Sequence, residues 1–433
     1  MRSCVSAVIH PYLPGERAMP PPTDSPPTLV ALCQTYPPDP TAVGQHVADV
    51  AEAMRARGWR VVVYTASRDY EDPRIVYPSV RSPEAVEIRR VPWSSFGKRS
   101  IAIRLVAQIL FLIQATVRAA MCGRVDAVLV STSPPFSGIF GALLAGIRRA
   151  RLIWWVMDLN PDQMIRLGKL RPGSFVARVF DWMNRVTLRQ AADVIVLDDY
   201  MRESVLAKAT PRGRLHVLPP WSPPACAQPV AHEDNPFRKD LVTGAARLVM
   251  YSGNHGLTNP LTTLIEAIQH RGDDPRLMFA FVGGGVCKRD IDDLIARERP
   301  RNVVSLPYQP LERLRESLSA ADVHVVSIAE EAVGVSHSCK IYGAMALGRP
   351  VLALAPRRSH VADIVLGSGC GWFVEHGDVE GLVRTLEEIE RAPLAELAER
   401  GERGRRFVAE RFDRERVVAD VCDIIEGAKR TAP

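Results

Sequence analysis

Three segments in the second half of the chain carry residue types suited to holding an anion. Tyr251-Ser252-Gly253-Asn254-His255-Gly256 closes a strand-like apolar run, and a helical pattern starts near Asn259. Glycines at such a junction let backbone N–H groups approach an anion, and the helix N-terminus adds a favourable dipole. Phe281-Val282-Gly283-Gly284-Gly285 makes a second turn of this kind. The third segment, EEAVGVSHSCKIYGAMALGRP from Glu330 to Pro350, sets a glycine, two serines, a histidine and Lys340 ahead of a helix rich in small residues (Gly343, Ala344, Ala346, Gly348). Lys340 there can supply full charge where the dipole already favours a diphosphate. Taken singly, each glycine turn is equally a tight strand-to-helix connection, and a lone lysine is more often solvated than bound to a ligand. Neither half opens with GxGxxG followed by an acid ~20 residues on, which argues against a dehydrogenase.

These segments need elements to position them, and the chain supplies a regular alternation. Leu29–Gln34, Arg60–Thr65, Val86–Val91, Asp126–Ser131, Leu152–Met157 and Asp193–Leu197 read as strands. Helical runs lie between them at Val43–Arg57, through Ala120, at Pro134–Arg148 and at Phe175–Ala191. Near-continuous apolar strands alternating with helices predict a doubly wound parallel sheet covered on both faces. The alternation breaks at LPPWSPP, Leu218–Pro224, where prolines exclude regular structure. It resumes at Arg247–Tyr251 and continues through Leu277–Val282, Val303–Leu306, Val323–Ile328 and Pro350–Leu354, with helices between and after. The predicted fold is therefore α/β: two Rossmann-like domains, 28–224 and 225–410, facing across a cleft, with a helix and tail over 411–433 that can cross back to the first. Ligands of such sheets bind at the carboxyl ends of the strands.

Composition narrows the function classes. The net charge of +6 over 433 residues is mild, with no basic cluster of the kind nucleic-acid binders use. Eight cysteines lie far apart without a CxxC pair, and ten histidines include no HExxH, so neither a disulfide framework nor a metal site is indicated. Residues 1–27 are Pro-rich without an apolar h-region and read as a disordered leader. No apolar run reaches the ~20 residues that span a bilayer. The nearest, Leu105–Val117, is flanked by Arg99, Arg104, Arg118 and Arg124. It suits a helix packed on a sheet, and also a helix lying in a membrane interface with its arginines toward phosphates.

The ordered set YSGNHGLTNPLTTLIEA, FVGGG, NVVSLPYQPLERLRESLSAADVHVVS, KIYGAMALGRPVLALAP and GCGWFVEHGDVEGLVRTL resembles the donor domain of the family-4 glycosyltransferases, which have the GT-B fold. It is most similar to the bacterial subgroup that builds O-antigen and other cell-surface sugars. In the first half, YPPDPTAVGQHVADVAEAMRARGWRVVVYTA and WWVMDLNPD followed by LGKLRPGS are similar to the same subgroup, so the resemblance spans roughly 28–425. It implies a cytoplasmic enzyme that moves a sugar from a nucleotide-sugar, expected to be a UDP-sugar, to a surface-glycan acceptor. The Leu105–Val117 helix and its arginines suit a lipid-linked acceptor with the enzyme peripheral at the inner membrane face, a soluble acceptor being the alternative. Retention at the anomeric carbon is implied by the resemblance as well, and the lack of a metal-ligand pair in the sequence predicts a site that uses no metal or other cofactor.

Residue by residue, the resemblance places Gly253, Asn254 and His255 in the donor phosphate turn, Gly283 and Gly284 beside the nucleotide, and Tyr308 and Gln309 near the base. Ser338, Lys340 and Tyr342 are set along the diphosphate and ribose, Gly44 and Gln45 on the acceptor-side loop, and Asp158 with Lys340 at the reaction centre. The chain departs from the family's Glu-x7-Glu pattern: Gly343 stands at the second glutamate and the first falls near Val335. Two other functions share parts of this pattern: a non-catalytic sugar-nucleotide-binding partner of another transferase, and a nucleotide-sugar 2-epimerase.

Overall fold

The computed structural model of the chain describes residues 25–39, 41–69, 74–82, 85–94, 101–226, 228–242 and 246–428. Most of the Pro-rich leader, Cys4 and Arg99 lie outside the described residues.

The first sheet contains β1 Thr28–Leu32, β2 Arg60–Ala66, β3 Glu87–Val91, β4 Ala127–Ser131, β5 Arg151–Trp155, β6 Asp193–Val196 and β7 Arg214–Val217, in the order β3-β2-β1-β4-β5-β6-β7. The second contains β8 Arg247–Ser252, β9 Leu277–Val282, β10 Val303–Leu306, β11 Val323–Ser327, β12 Val351–Leu354 and β13 Gly371–Val374, in the order β10-β9-β8-β11-β12-β13. All these pairings are parallel; Val30, for example, faces Val62 on one side and Val128 on the other. TLVAL of β1 and AVLVS of β4 are buried at every position, as strands covered on both faces must be.

Helices α1 Ala42–Ala56, α2 Ile101–Ala120, α3 Ser137–Arg148, α4 Asp162–Arg166, α5 Phe175–Gln190 and α6 Asp199–Lys208 belong to the first unit. Helices α7 Pro236–Leu241, α8 Thr262–Arg271, α9 Lys288–Glu298, α10 Leu314–Ser319, α11 Lys340–Ala346, α12 His360–Ser368, α13 Val379–Arg391 and α14 Leu394–Arg411 belong to the second. The last helix, α15 Arg414–Glu426, returns to the first: Val417, Val421, Cys422, Ile424 and Ile425 are buried in its core. Polar contacts fix that return. Arg57 pairs with Asp423 at 2.6 Å and Glu426 at 2.8 Å, and Arg414 grips Asp49 at 2.6 and 3.1 Å.

Three features are not apparent from hydrophobic periodicity. Helix α6 and strand β7 fill the stretch between Leu197 and Leu218, and β13 sits at the far edge of the second sheet. Both strands are four residues long at a sheet edge, and RLHV of β7 is nowhere fully buried, so neither shows a continuous apolar run. Helix α2 is longer than the Leu105–Val117 run, because Gln108, Gln114 and Thr116 do not interrupt the helix. This corrects the sequence expectation: Ile103–Ala120 is long and apolar enough, by length and composition, to cross a membrane. Here one of its faces (Phe111, Leu112, Ala115, Ala119) is packed into the first core.

Candidate functional site

A cavity of about 420 Å³ opens between the two sheets at their carboxyl ends. Its walls come from the segment after β1 and the start of α1 (Pro37, Gln45, His46, Asp49) and from the ends of β8 and β9 (Ser252, Gly253, Val282). Beyond them stand Tyr308, Gln309, Lys340 and Gly343. Strands β8 and β11 are neighbours in space while the intervening β9 and β10 run outward, so the second-domain wall lies where strand order reverses.

On that wall the backbone approaches as closely as glycine allows. Gly253 has φ 134°, and a Cβ there would sit 2.5 Å from Cε of Lys340. Gly283, at φ 127°, lies so close that its Cβ would meet the Gly253 carbonyl oxygen at 2.0 Å. Both positions therefore require glycine. Lys340 extends over this turn, donating to Oδ1 of Asn259 at 3.2 Å, with its ammonium 5.5 Å from the Tyr251 ring centre. Among the described residues no carboxylate pairs with it, and burial pushes its pKa down to about 8. A desolvated cation without a counter-charge is stabilised by any anion that enters.

The structure brings Gln45, Gly253, Tyr308, Gln309 and Lys340 together on the cavity wall. Tyr308 donates to the Gly284 carbonyl at 3.1 Å, which ties the segment after β10 to the Gly283–Gly285 turn. Asn254 is exposed, and its carbonyl accepts from the Tyr251 hydroxyl at 2.6 Å. His255 is buried edge-on to Tyr251, its pKa pushed down to about 4 by burial and Lys288, so it brings no charge at neutral pH. Gly44 packs against the Thr35 carbonyl, where a Cβ would approach to 2.9 Å.

Asp158, Ser338 and Tyr342 stand away from that wall. Oδ1 of Asp158 accepts from Ser336 at 2.7 Å and Gln163 at 2.8 Å where the two domains touch, and burial raises its pKa. Ser338 is buried, its N–H donating to Nε2 of His360 at 3.1 Å. Tyr342 is buried with its ring edge-on to Phe412 and its hydroxyl 2.9 Å from Nε2 of His337.

Other groups around the cleft have no sequence signal. On the first-domain wall His46 lies edge-on to Trp221 at 4.5 Å, with Nε2 unpartnered and its pKa pushed to about 4 by burial. Asp49, beside it, accepts from Trp221 Nε1 at 2.7 Å as well as from Arg414. Trp221 thereby anchors the Pro-rich connection to α1. Near the domain contact, Asp198, His337 and His360 bring three possible metal-ligand atoms within 4.8 Å of one another. The two imidazoles are stacked, centroids 3.7 Å apart and planes 14° from parallel, so no single nearby ion lies in the plane of both rings. The cluster is built for hydrogen bonding instead.

Two doubly wound parallel domains meeting across a cleft at their strand ends define the GT-B class. The chain shares that fold with the sucrose-phosphate synthase tll1590 from Thermosynechococcus elongatus, at TM-score 0.73 and 20% identity over 93% of this chain and 98% of that one. Anabaena Alr3699/HepE, solved in complex with UDP and glucose, aligns at TM-score 0.68 and 15% identity over 92% of this chain and 99% of its own. Residues 41–221 match the model of the glycosyl transferase 4-like domain, and residues 246–391 that of glycosyl transferases group 1. With one model on each sheet, the chain belongs to this glycosyltransferase family. Among its relatives, WbjE of Pseudomonas aeruginosa, named as a glycosyltransferase, is 26% identical over 78% of this chain and 83% of that protein. WcaI of Escherichia coli (strain K12), named as a colanic acid biosynthesis glycosyl transferase, is 24% identical over 90% and 98%.

Proposed function

We propose that this glycosyltransferase takes its sugar from a nucleoside-diphosphate sugar, of which a UDP-sugar is the first candidate, and builds a surface polysaccharide on a lipid-linked acceptor. The observation that carries the reading is Lys340: a half-buried ammonium with no carboxylate partner among the described residues, held over the Gly253 turn at the strand ends of the second sheet. In the reaction the bond between the anomeric carbon and the diphosphate oxygen breaks, and the acceptor oxygen forms the new bond to that carbon. The acceptor's proton goes to the departing diphosphate, as attack on the same face with retention requires. Charge growing on the leaving oxygen is met by Lys340 and backbone N–H groups of the glycine turns, a type of stabilisation worth about 3 kcal/mol per donor. Among the described cavity residues the one carboxylate is Asp49, already taken by Arg414 and Trp221, which supports a site that works without a metal ion.

Support for an acceptor at a membrane comes from the outer layer α2-α3-α5. Val106, Ile113, Val117 and Met121 recur along one face of α2 and its C-terminal turn and are exposed, with Leu143, Ile147 and Trp182 exposed on the helices beside it. No acidic residue occurs between Ile101 and Val125, while Arg104, Arg118 and Arg124 do. An apolar face edged by arginines suits an anionic lipid surface. The test of the donor is a melting-temperature screen with UDP-, GDP-, ADP- and dTDP-sugars, with magnesium and with a chelator. One nucleotide class should raise the transition equally in both, by about 2.7 kcal/mol at 100 times its dissociation constant. No shift with any nucleotide from cooperatively folded protein rejects the donor reading, and a shift that needs magnesium rejects the metal-free one.

A further inference from the structure

The segment joining β11 to α11 leaves the second domain and plugs into the first. Val335 is fully buried within the first-domain core, and its carbonyl accepts from the Leu159 N–H at 2.8 Å. The Val333 carbonyl accepts from Arg166 at 2.7 Å, and Ser336 donates to Asp158 at 2.7 Å. Gly334, at φ 73°, lies where a Cβ would come within 2.7 Å of the Tyr200 carbonyl. His337 follows, its Nδ1 2.7 Å from Oδ2 of Asp198 and its Nε2 2.9 Å from the Tyr342 hydroxyl. Lys340 lies between these last two residues in sequence, at the start of α11.

The hydrogen-bond directions are set by the backbone. The Ser338 N–H donates to Nε2 of His360, so the ring proton of His360 sits on Nδ1, which faces the same Asp198 oxygen at 3.5 Å. Asp198 also caps α6, with its Oδ1 accepting from the Met201 N–H at 2.7 Å. A first-domain carboxylate thus accepts from His337 and lies opposite the second stacked imidazole, whose Nδ1 makes no hydrogen bond to it. Asp158 and His46 also interact electrostatically with His337.

We propose that Asp198 and His337 are positioning residues which set Lys340 in the diphosphate site only while the two domains are closed. Parting the domains withdraws Asp198, Leu159 and Arg166 from the 333–337 segment at once. His337 then loses the carboxylate that orients its ring toward Tyr342, and the first turn of α11 with Lys340 loses that support. The departure of this loop from the family's glutamate pattern acquires a physical sense, because Val335 is a plug and not a ligand. The inference rests on the donor reading above.

The experiment is a double-mutant cycle read by calorimetric binding of UDP, and of GDP in parallel, to the full chain. Asp198→Asn keeps the α6 cap, since asparagine caps as well as aspartate. It should weaken nucleotide binding about fivefold or more in the wild-type background and leave it nearly unchanged in Lys340→Ala. His337→Ala should behave the same way, and His337→Asn, whose amide can reach Asp198, should restore part of the affinity. X-ray scattering of the unliganded Asp198→Asn protein should show a more open molecule than wild type. Equal weakening in both backgrounds, or wild-type affinity and compactness in the variants, overturns the proposal. Failure of the wild type to bind UDP, GDP, ADP or dTDP overturns the donor reading, and this proposal with it. Should Asp198→Asn fail to fold, the His337 pair decides from the other side of the contact.

Discussion

Lys340 concentrates the chemistry of the second-domain wall in one atom. Its ammonium is desolvated, unpaired among the described residues, and backed by two glycine turns that admit no side chain. Lys340→Ala should therefore lower turnover at least about tenfold and weaken nucleotide binding, while the protein stays folded, because the change removes a desolvated ammonium that no carboxylate among the described residues pairs with. Near-wild-type activity in a transfer assay removes it from the donor site. The pKa of about 8 adds a sign: above pH 8 the free protein loses this charge, so nucleotide affinity should fall as pH rises from 7 to 9 in the wild type. The same titration should leave Lys340→Ala flat. The sequence made Lys340, Gly253 and Gly283 legible, since their types and positions follow the strand-to-helix junctions. It offered no sign of His46, Asp49 or Asp198, whose neighbours are hundreds of residues away in the chain or on another helix.

Helices α2 and α15 show how an element's amphipathicity leaves its partner open. The buried stripe of α2 and its exposed stripe are both apolar, so periodicity alone registers one hydrophobic helix. Val106 and Val117 are 52% and 54% exposed. Replacing both by glutamate should leave the melting temperature within a degree or two while lowering co-sedimentation with anionic lipid vesicles several-fold. Unchanged sedimentation removes α2 from the membrane reading. Helix α15 poses the converse case. Its apolar positions pack on the first core and not on the domain that precedes it in the chain. Ile425→Ala should cost about 2–5 kcal/mol in chemical denaturation, with the loss confined to the first domain's transition. A loss confined to the second domain's transition contradicts that packing.

Across the whole molecule, burial acts most visibly on histidine. His46, His255 and His324 are held to about 4 and His360 to about 3, chiefly by desolvation. An unfolded chain protonates them near 6.5. The folded state then binds fewer protons between these limits, so stability falls as pH drops from about 6.5 toward 4. A decrease of about 5 °C or more in melting temperature between pH 7.5 and 5.5 is expected. A flat or rising profile over that range contradicts the buried neutral state of these rings.

The sequence alone determined the alternation of strands and helices, hence the two doubly wound sheets, because a strand covered on both faces must be apolar throughout and a layer helix must repeat every three to four residues. It also determined the glycine turns and the lysine, since only those residue types serve at those junctions. The tertiary structure decided what periodicity does not encode: the edge strands β7 and β13, which residues of α15 enter the first core, and the placement of Asp158 and Tyr342 at a domain contact and in a core. It also decided that the 333–337 segment belongs to the first domain's packing. Each of these depends on contacts between residues far apart in sequence, whose energies appear only once the chain has closed on itself.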